Sequence, residues 1–279
     1  MRKHSEWAKL PLRWIHSNGL SRFSDRVIKS VPAHPQFPVL TVERPVDVEA
    51  MRNECIAALR LYLVLCCQAT FNDGVVGTTY PKLMQLAKMS RPVVAKGLAR
   101  LEQERLISRK KQPRKMGSAL TIEGWHDEYG WGKIPKLKLY DWNTEHMLLL
   151  SSFNYSKASF NALKIYIALL AYRGRSALGI AILSYDKLST VTGVPRYQVA
   201  DAVTKLYDMD LISFRPGDFD DEKAGDRTNR YLVKGLGGRW PSTSPGASTA
   251  DKADMDGSPS RPSKAELKAA EDFFGDTPF

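Results

Sequence analysis

Apolar residues recur at helical spacing in the segment SRPVVAKGLARLEQ, residues 90–103. Val94, Leu98 and Leu101 lie at positions i, i+4 and i+7, which predicts an amphipathic helix with an aliphatic inner side. Ser90 precedes this helix as a candidate N-cap, and Pro92 falls in the first turn, where its missing N–H is harmless. After this helix come two β-capable runs on either side of a tip rich in Pro, Gly and Ser. This pattern predicts a β-hairpin.

A second segment of the chain repeats this arrangement. Residues 57–67 align with residues 161–171, and residues 79–108 align without a gap with residues 184–213. Of the 41 aligned pairs, 14 are identical. The aliphatic positions of the second copy are Val199, Val203 and Leu206. The shared order of elements indicates a duplicated domain.

Each copy has the same predicted plan: a largely apolar helix, a short helix, a tight turn, a second helix and a hairpin. Gly193 suits a left-handed position in the second turn. Small residues flank the aliphatic stripe, Ala95 and Gly97 in one copy and Ala200 and Ala202 in the other. We expect them to let the preceding helix approach closely.

This order of helices and hairpin resembles the winged-helix family of DNA-binding domains. The resemblance implies a mainly α fold with small β-hairpins (α+β), arranged as two tandem winged-helix domains and a disordered C-terminal tail. The predicted parts are an N-terminal arm (1–53), a first domain (54–140), a linker (141–157), a second domain (158–237) and a tail (238–279). We expect the arm to lie over the first domain. The linker is too apolar for a flexible tether, so we expect the two domains to pack together.

The net charge favours a polyanionic partner. The 279 residues carry a formal charge of +11, with a pI near 9.5. Residues 1–150 contribute +10 of it, residues 151–235 contribute +3, and residues 236–279 contribute −2. An excess confined to one region points to nucleic acid more than a general basic character would.

Other features predict a cytoplasmic protein associated with the nucleoid or a plasmid, and not with a membrane. The N-terminal region has no apolar run typical of a signal peptide, and Arg60 interrupts the longest apolar stretch. Cys55, Cys66 and Cys67 share that stretch, which is typical of reduced core thiols. We expect no enzyme activity, cofactor or metal, because no catalytic or metal-binding spacing is present.

The first copy carries the stronger DNA-binding pattern. Arg91, Lys96 and Arg100 are predicted to lie opposite the aliphatic stripe, where arginine can bind guanine in a major groove. The hairpin carries five further cations suited to phosphate or minor-groove contacts. They are Arg109, Lys110, Lys111, Arg114 and Lys115.

The second copy departs from this pattern. Asp201 replaces Lys96, and the hairpin tip is acidic through Asp218, Asp220, Asp221, Glu222 and Asp226. Two interpretations stay open. In the first, the domain binds DNA through a smaller set of residues. In the second, it is a protein-contact or dimerising module. The smaller set is Arg196, Tyr197, Gln198 and Lys205.

Two linked, diverged winged-helix domains resemble the replication initiator (Rep) proteins of iteron plasmids and related mobile elements. The resemblance implies sequence-specific binding of double-stranded DNA at origin repeats. A transcriptional or partition regulator that binds an operator is an alternative, and so is an adaptor that uses both hairpins for protein contacts.

The segment EDFFGDTPF, residues 271–279, resembles the C-terminal tip of bacterial single-stranded DNA-binding protein. The resemblance implies recruitment of host replication proteins that recognise that tip. Phe279 would then be the pocket anchor, Pro278 would fix its approach, and Asp272 and Asp276 would supply charge. Phe273 and Phe274 are an additional aromatic pair. Alternatives are a chance Pro-Phe ending and a short helix that docks on the body of the protein.

Overall fold

A computed structural model describes residues 6–25, 28–34, 37–45, 47–110, 118–141, 143–174, 179–217, 228–238 and 240. The first segment contains two short helices between an edge strand and a long hairpin. Its elements are β1 (Ala8–Pro11), α1 (Arg13–His16), α2 (Gly19–Arg22), β2 (Ile28–His34) and β3 (Phe37–Pro45).

The first copy of the repeat begins with the longest helix of the described residues. The Asp47 carboxylate accepts hydrogen bonds from the amides of Glu49 and Ala50 and so caps this helix. The elements are α3 (Val48–Gln68), β4 (Val75–Thr78), α4 (Tyr80–Ala87), α5 (Arg91–Gln103), β5 (Ile107–Lys110) and β6 (Ser118–Ile122). The three strands form an antiparallel sheet in the order β4-β6-β5.

A connecting segment leads to a second copy with the same plan. The connection contains β7 (Trp131–Ile134), α6 (Lys136–Leu139) and α7 (Leu148–Ser151). The second copy contains α8 (Lys157–Ala171), β8 (Ile180–Leu183), α9 (Tyr185–Thr192), α10 (Val199–Asp208), β9 (Ile212–Arg215) and β10 (Asn229–Val233). Its antiparallel sheet has the order β8-β10-β9, which matches that of the first copy. The chain is therefore mainly helical with small antiparallel sheets, an α+β fold as predicted.

The predicted aliphatic positions lie in the core of both copies. Val94, Leu98 and Leu101 are buried on α5. Their counterparts on α10, Val199, Val203 and Leu206, are buried as well. Gly193 has the predicted left-handed conformation, with φ of +66°, and Lys88 occupies the matching position of the first copy with φ of +50°.

Three local predictions were wrong or incomplete. Ser90 stands at the N-cap position of α5, but its side chain makes no capping hydrogen bond. The hydrophobic pattern did not predict β4 and β8, which are only four residues long. In the second copy, α10 begins only after a 3-10 turn at Arg196–Gln198, so the two helices differ at their N-terminal ends.

Gly97 allows close packing by a helix other than the predicted one. A Cβ atom built on Gly97 would lie 2.6 Å from Cδ1 of Leu61 and 3.1 Å from the carbonyl carbon of Ala57, both on α3. The close neighbour is therefore the long first helix and not α4, which precedes α5 in the chain. The small residue sets how closely α3 and α5 pack.

The N-terminal arm does not lie over the first copy alone, as the sequence suggested; it lies between the two copies. Strand β1 pairs antiparallel with β7, and α2 packs against α9 of the second copy. The Asp25 carboxylate binds Lys157 of α8 and also Arg52 of α3. The copies share one continuous hydrophobic cluster and are therefore packed together, as their apolar connection predicted.

Two buried cations tie each copy to the segment that precedes the other. Arg60 on α3 donates from Nη1 to the carbonyl oxygen of Phe153, just beyond α7, at 3.4 Å. Lys164, the aligned residue on α8, donates from Nζ to the carbonyl oxygen of Phe23, just beyond α2, at 2.9 Å. Both cations are 3% exposed, and burial lowers the pKa of each, that of Lys164 to about 8. The repeat thus includes a reciprocal docking of the two leading segments.

Candidate nucleic-acid interface

The outward side of α5 carries two exposed cations. Arg91 lies at the first position of the helix and Lys96 is five residues further along. The guanidinium of Arg91 lies 5.5 Å from the ring centre of Tyr80 on α4, which orients it at the start of the helix. Neither cation has a carboxylate oxygen within 4.0 Å among the described residues.

Arg100 does not belong to this face, contrary to the sequence prediction. It is 8% exposed and lies under the N-terminal arm. Its Nη2 donates to the carbonyl oxygen of Arg22 at 3.0 Å and lies 2.9 Å from Oε1 of Glu104. By helical spacing Arg100 lies only about 40° around the helix from Lys96, so the covering arm and not the helix geometry buries it. Arg100 is therefore a structural cation that joins the arm to α5.

The hairpin of the first copy is described only in part. Nε of Arg109 on β5 lies 2.6 Å from Oε1 of Glu102, and each of these side chains is 35% exposed. Lys110 ends β5, and its side chain lies outside the described residues. The remaining predicted wing cations, Lys111, Arg114 and Lys115, also lie outside the described residues.

The second copy brings its predicted residues together but pairs most of them. Nε of Arg196 lies 2.5 Å from Oδ1 of Asp186, at the position where the first copy has Pro81. Gln198 accepts a hydrogen bond from Nδ2 of Asn161 at 2.8 Å and donates one to the hydroxyl oxygen of Tyr197 at 3.2 Å. Tyr197 itself is exposed, and Lys205 is half-buried on α10. The acidic hairpin tip lies outside the described residues.

One feature that both copies share was not predicted from the sequence: a tyrosine ring that lies against the first arginine. The guanidinium of Arg196 lies 6.0 Å from the ring of Tyr185, as that of Arg91 lies over Tyr80. Both residues recur at the same offset in the repeat, so the alignment contained the signal. Only the fold shows that the ring and the cation meet.

The cysteines of the described residues are part of the core. Cys55, Cys66 and Cys67 lie buried in α3, as predicted, and burial raises the pKa of the Cys55 thiol to about 11. Within the described ranges, no group of three His, Cys, Asp or Glu side chains could hold a metal ion. No helix in that part of the chain is both long and apolar enough to cross a membrane.

No protein-family model, curated protein or solved structure matches this chain. The arrangement of the side chains therefore carries the functional inference.

Proposed function

We propose that each copy is a winged-helix domain and that the first copy binds double-stranded DNA through α5 and the β5–β6 hairpin. The observation that carries this proposal is the exposed pair Arg91 and Lys96, which no described carboxylate neutralises. The order of helix, strand, two helices and hairpin in both copies supports it. Such a helix fits a major groove, which is about 12 Å wide.

The two cations have different tasks in this proposal. Arg91 is held at the N-terminal end of α5 by the ring of Tyr80, and this end of a recognition helix approaches the base edges. A guanidinium there can donate to both O6 and N7 of guanine. Lys96, one and a half turns further on, suits a phosphate contact, which contributes affinity without selecting sequence.

Replacing Arg91 by Ala is expected to weaken binding to a preferred duplex by about 1–3 kcal/mol, or roughly 5- to 150-fold. The duplex is first selected from a random pool with the unchanged protein, and fluorescence anisotropy then gives the affinities. Lys96→Ala should weaken binding to the selected duplex and to random duplexes by a similar factor, because a phosphate contact carries no sequence information.

Arg105→Gln is the matched control. Arg105 is an exposed cation just beyond the C-terminal end of α5, about 20 Å along the helix from Arg91. Its removal changes the net charge equally but should leave the affinity nearly unchanged. Equal losses from Arg91→Ala and Arg105→Gln, or no loss from either, would contradict the assignment of this end of α5.

We infer a lesser DNA contact for the second copy. Its counterpart of Arg91 is paired with Asp186, and the exposed Asp201 stands where the first copy has Lys96. Carboxylates at these two positions oppose a phosphate backbone. The proposal therefore gives the second copy a positioning or dimerising role and the first copy most of the binding energy.

The biological role we propose is replication initiation on a plasmid or mobile element, in the cytoplasm. The acidic and aromatic segment 271–279 favours this role over that of an operator-binding regulator, because it would attract host replication proteins that bind the single-stranded DNA-binding protein tip. The segment lies outside the described residues.

A peptide of residues 264–279 is expected to bind such host proteins with a dissociation constant on the order of micromolar, because a free peptide loses conformational entropy when it binds. The same peptide without Phe279 should bind at least tenfold more weakly in a titration. Equal binding by the two peptides, or none by either, would remove the reason for preferring an initiator to a regulator.

A further inference from the structure

The outer face of the β1–β7 ribbon has an unusual composition. Leu10 and Ile134 point inward and are fully buried, as the alternation of an antiparallel pair requires. The opposite face carries Lys9 and Lys133, which are direct cross-strand partners. Trp131 lies on the same face as Lys133, two residues before it. The ribbon therefore presents aromatic rings and cations side by side.

Aromatic rings continue this face onto the first copy. Trp7 stacks on Trp131 with ring centres 4.8 Å apart, and Phe71 meets both rings edge-on at 5.9 and 6.2 Å. Phe71 stands in the loop after α3, where Nε1 of Trp125 donates to its carbonyl oxygen at 2.9 Å. This hydrogen bond anchors the backbone of Phe71, while the residue is 58% exposed. A held but exposed phenyl ring is suited to stack on a ligand.

The two lysines are uncompensated. Nζ of Lys133 lies 5.0 Å from the ring centre of Trp7, and Nζ of Lys9 lies 5.2 Å from that of Trp125. Neither ammonium group has a carboxylate oxygen within 4.0 Å in the described part of the chain. Like charges directly opposite each other on paired strands destabilise the pairing. An anionic ligand bound between Lys9 and Lys133 would remove this repulsion.

We propose that this face of the ribbon binds single-stranded nucleic acid. An unpaired base would stack on the exposed ring of Phe71, and the neighbouring phosphates would lie against Lys9 and Lys133. Rings interleaved with cations are the combination by which proteins bind unpaired strands without reading their sequence. A duplex keeps its bases stacked inside and offers no base face to Phe71. The proposal stands apart from the binding of double-stranded DNA by α5 and does not rest on it.

The neighbouring surface favours a nucleic acid over an acidic peptide. Beside Trp125 lies an open depression of about 440 Å³ whose lining includes Asp73, Glu123 and Glu128. These carboxylates repel an acidic peptide along its length, whereas an unpaired strand can turn its phosphates toward Lys9 and Lys133 and donate hydrogen bonds to the carboxylates from the N–H groups of its bases. Arg13, in the same lining, is paired with Asp127 at 3.2 Å and lies over the ring of Tyr129, which is itself exposed.

The test uses the full chain and a fluorescein-labelled twenty-nucleotide oligo(dT), which has no secondary structure. We expect binding that quenches tryptophan fluorescence, since Trp7 and Trp131 lie at the site. Phe71→Ala should weaken the binding about 5- to 150-fold, the range measured for losing one base–aromatic stack. The double variant Lys9→Gln, Lys133→Gln should weaken it and reduce its salt dependence. Affinity for duplex DNA should stay the same in all these variants.

Tyr207→Ala is the matched control, because Tyr207 is also 58% exposed but lies on α10 of the second copy. It should leave the affinity for oligo(dT) unchanged. Circular dichroism and the unfolding midpoint check that each variant is folded. The proposal is wrong if the unchanged protein does not bind oligo(dT), or if Phe71→Ala and Tyr207→Ala bind it equally. Quenching by the peptide of residues 264–279 but not by oligo(dT) would instead assign the face to an acidic segment.

Discussion

Replacing Gly97 by Val is expected to lower the free energy of unfolding by about 3 kcal/mol or more, at the upper end of overpacking effects. The first carbon of a side chain would already lie 2.6 Å from Cδ1 of Leu61. It would also lie 3.1 and 3.2 Å from backbone atoms of Ala57 and Ala58, and backbone cannot move aside as a side chain can. The two extra methyl groups of Val would force α3 and α5 apart. Urea denaturation followed by circular dichroism measures the change.

Gly77→Val is the control for this substitution. Gly77 lies in β4 with no other atom within 4 Å of an added Cβ, and β-branched residues favour strands. We expect the control to be neutral or slightly stabilising. If Gly97→Val were as stable as Gly77→Val, the close approach of α3 and α5 would not be a feature of the folded protein.

The core of each copy could be predicted from the sequence because it depends on local spacing. Val94, Leu98 and Leu101 follow the period of one helix, and the repeat supplied a second, independent instance of the same spacing. The left-handed turn at Gly193 was also predictable from local sequence, because glycine adopts that conformation without strain.

The contacts between distant segments could not be predicted in this way. Arg100 has the spacing of an exposed residue, but the arm covers it and supplies the carbonyl oxygen of Arg22 as its partner. Arg60 and Lys164 were visible only as charges that interrupt apolar helices. Their partners, the carbonyl oxygens of Phe153 and Phe23, lie 93 and 141 residues away along the chain. Nothing in the local pattern identifies a backbone carbonyl as a partner.

In the candidate interface, too, the exposed positions could be predicted and the contacts between elements could not. The sequence predicted that Arg91 and Lys96 share an exposed face, and both are exposed on α5. It did not show that Asp186 pairs with Arg196, because the two residues lie on different elements and the first copy has Pro81 in place of that acid. Asp186 thus neutralises the arginine that the two faces share, and Asp201 in place of Lys96 adds to the difference between them.

The affinity for random duplex DNA is expected to fall steeply with salt. If the five hairpin cations and Lys96 contact phosphates, the affinity should drop by roughly 2,000-fold between about 50 and 200 mM salt. Each neutralised contact should reduce the slope of log affinity against log salt by about 0.9. Removing the five hairpin cations should therefore flatten the slope by about 4.5. The five positions changed to Gln are Arg109, Lys110, Lys111, Arg114 and Lys115.

A charge-matched control separates these contacts from a general effect of net charge. Residues 236–279 also contain five cations, and their replacement by Gln lowers the net charge equally. They are Arg239, Lys252, Arg261, Lys264 and Lys268. This control should keep the original slope, because we assign no phosphate contact to those residues.

The salt dependence of duplex binding, measured by fluorescence anisotropy on the unchanged protein and these two variants, tests the proposed function most directly. We predict a steep slope that is flattened by about 4.5 in the hairpin variant alone. No binding at low salt, or the same slope in both variants, would contradict DNA binding by the first copy.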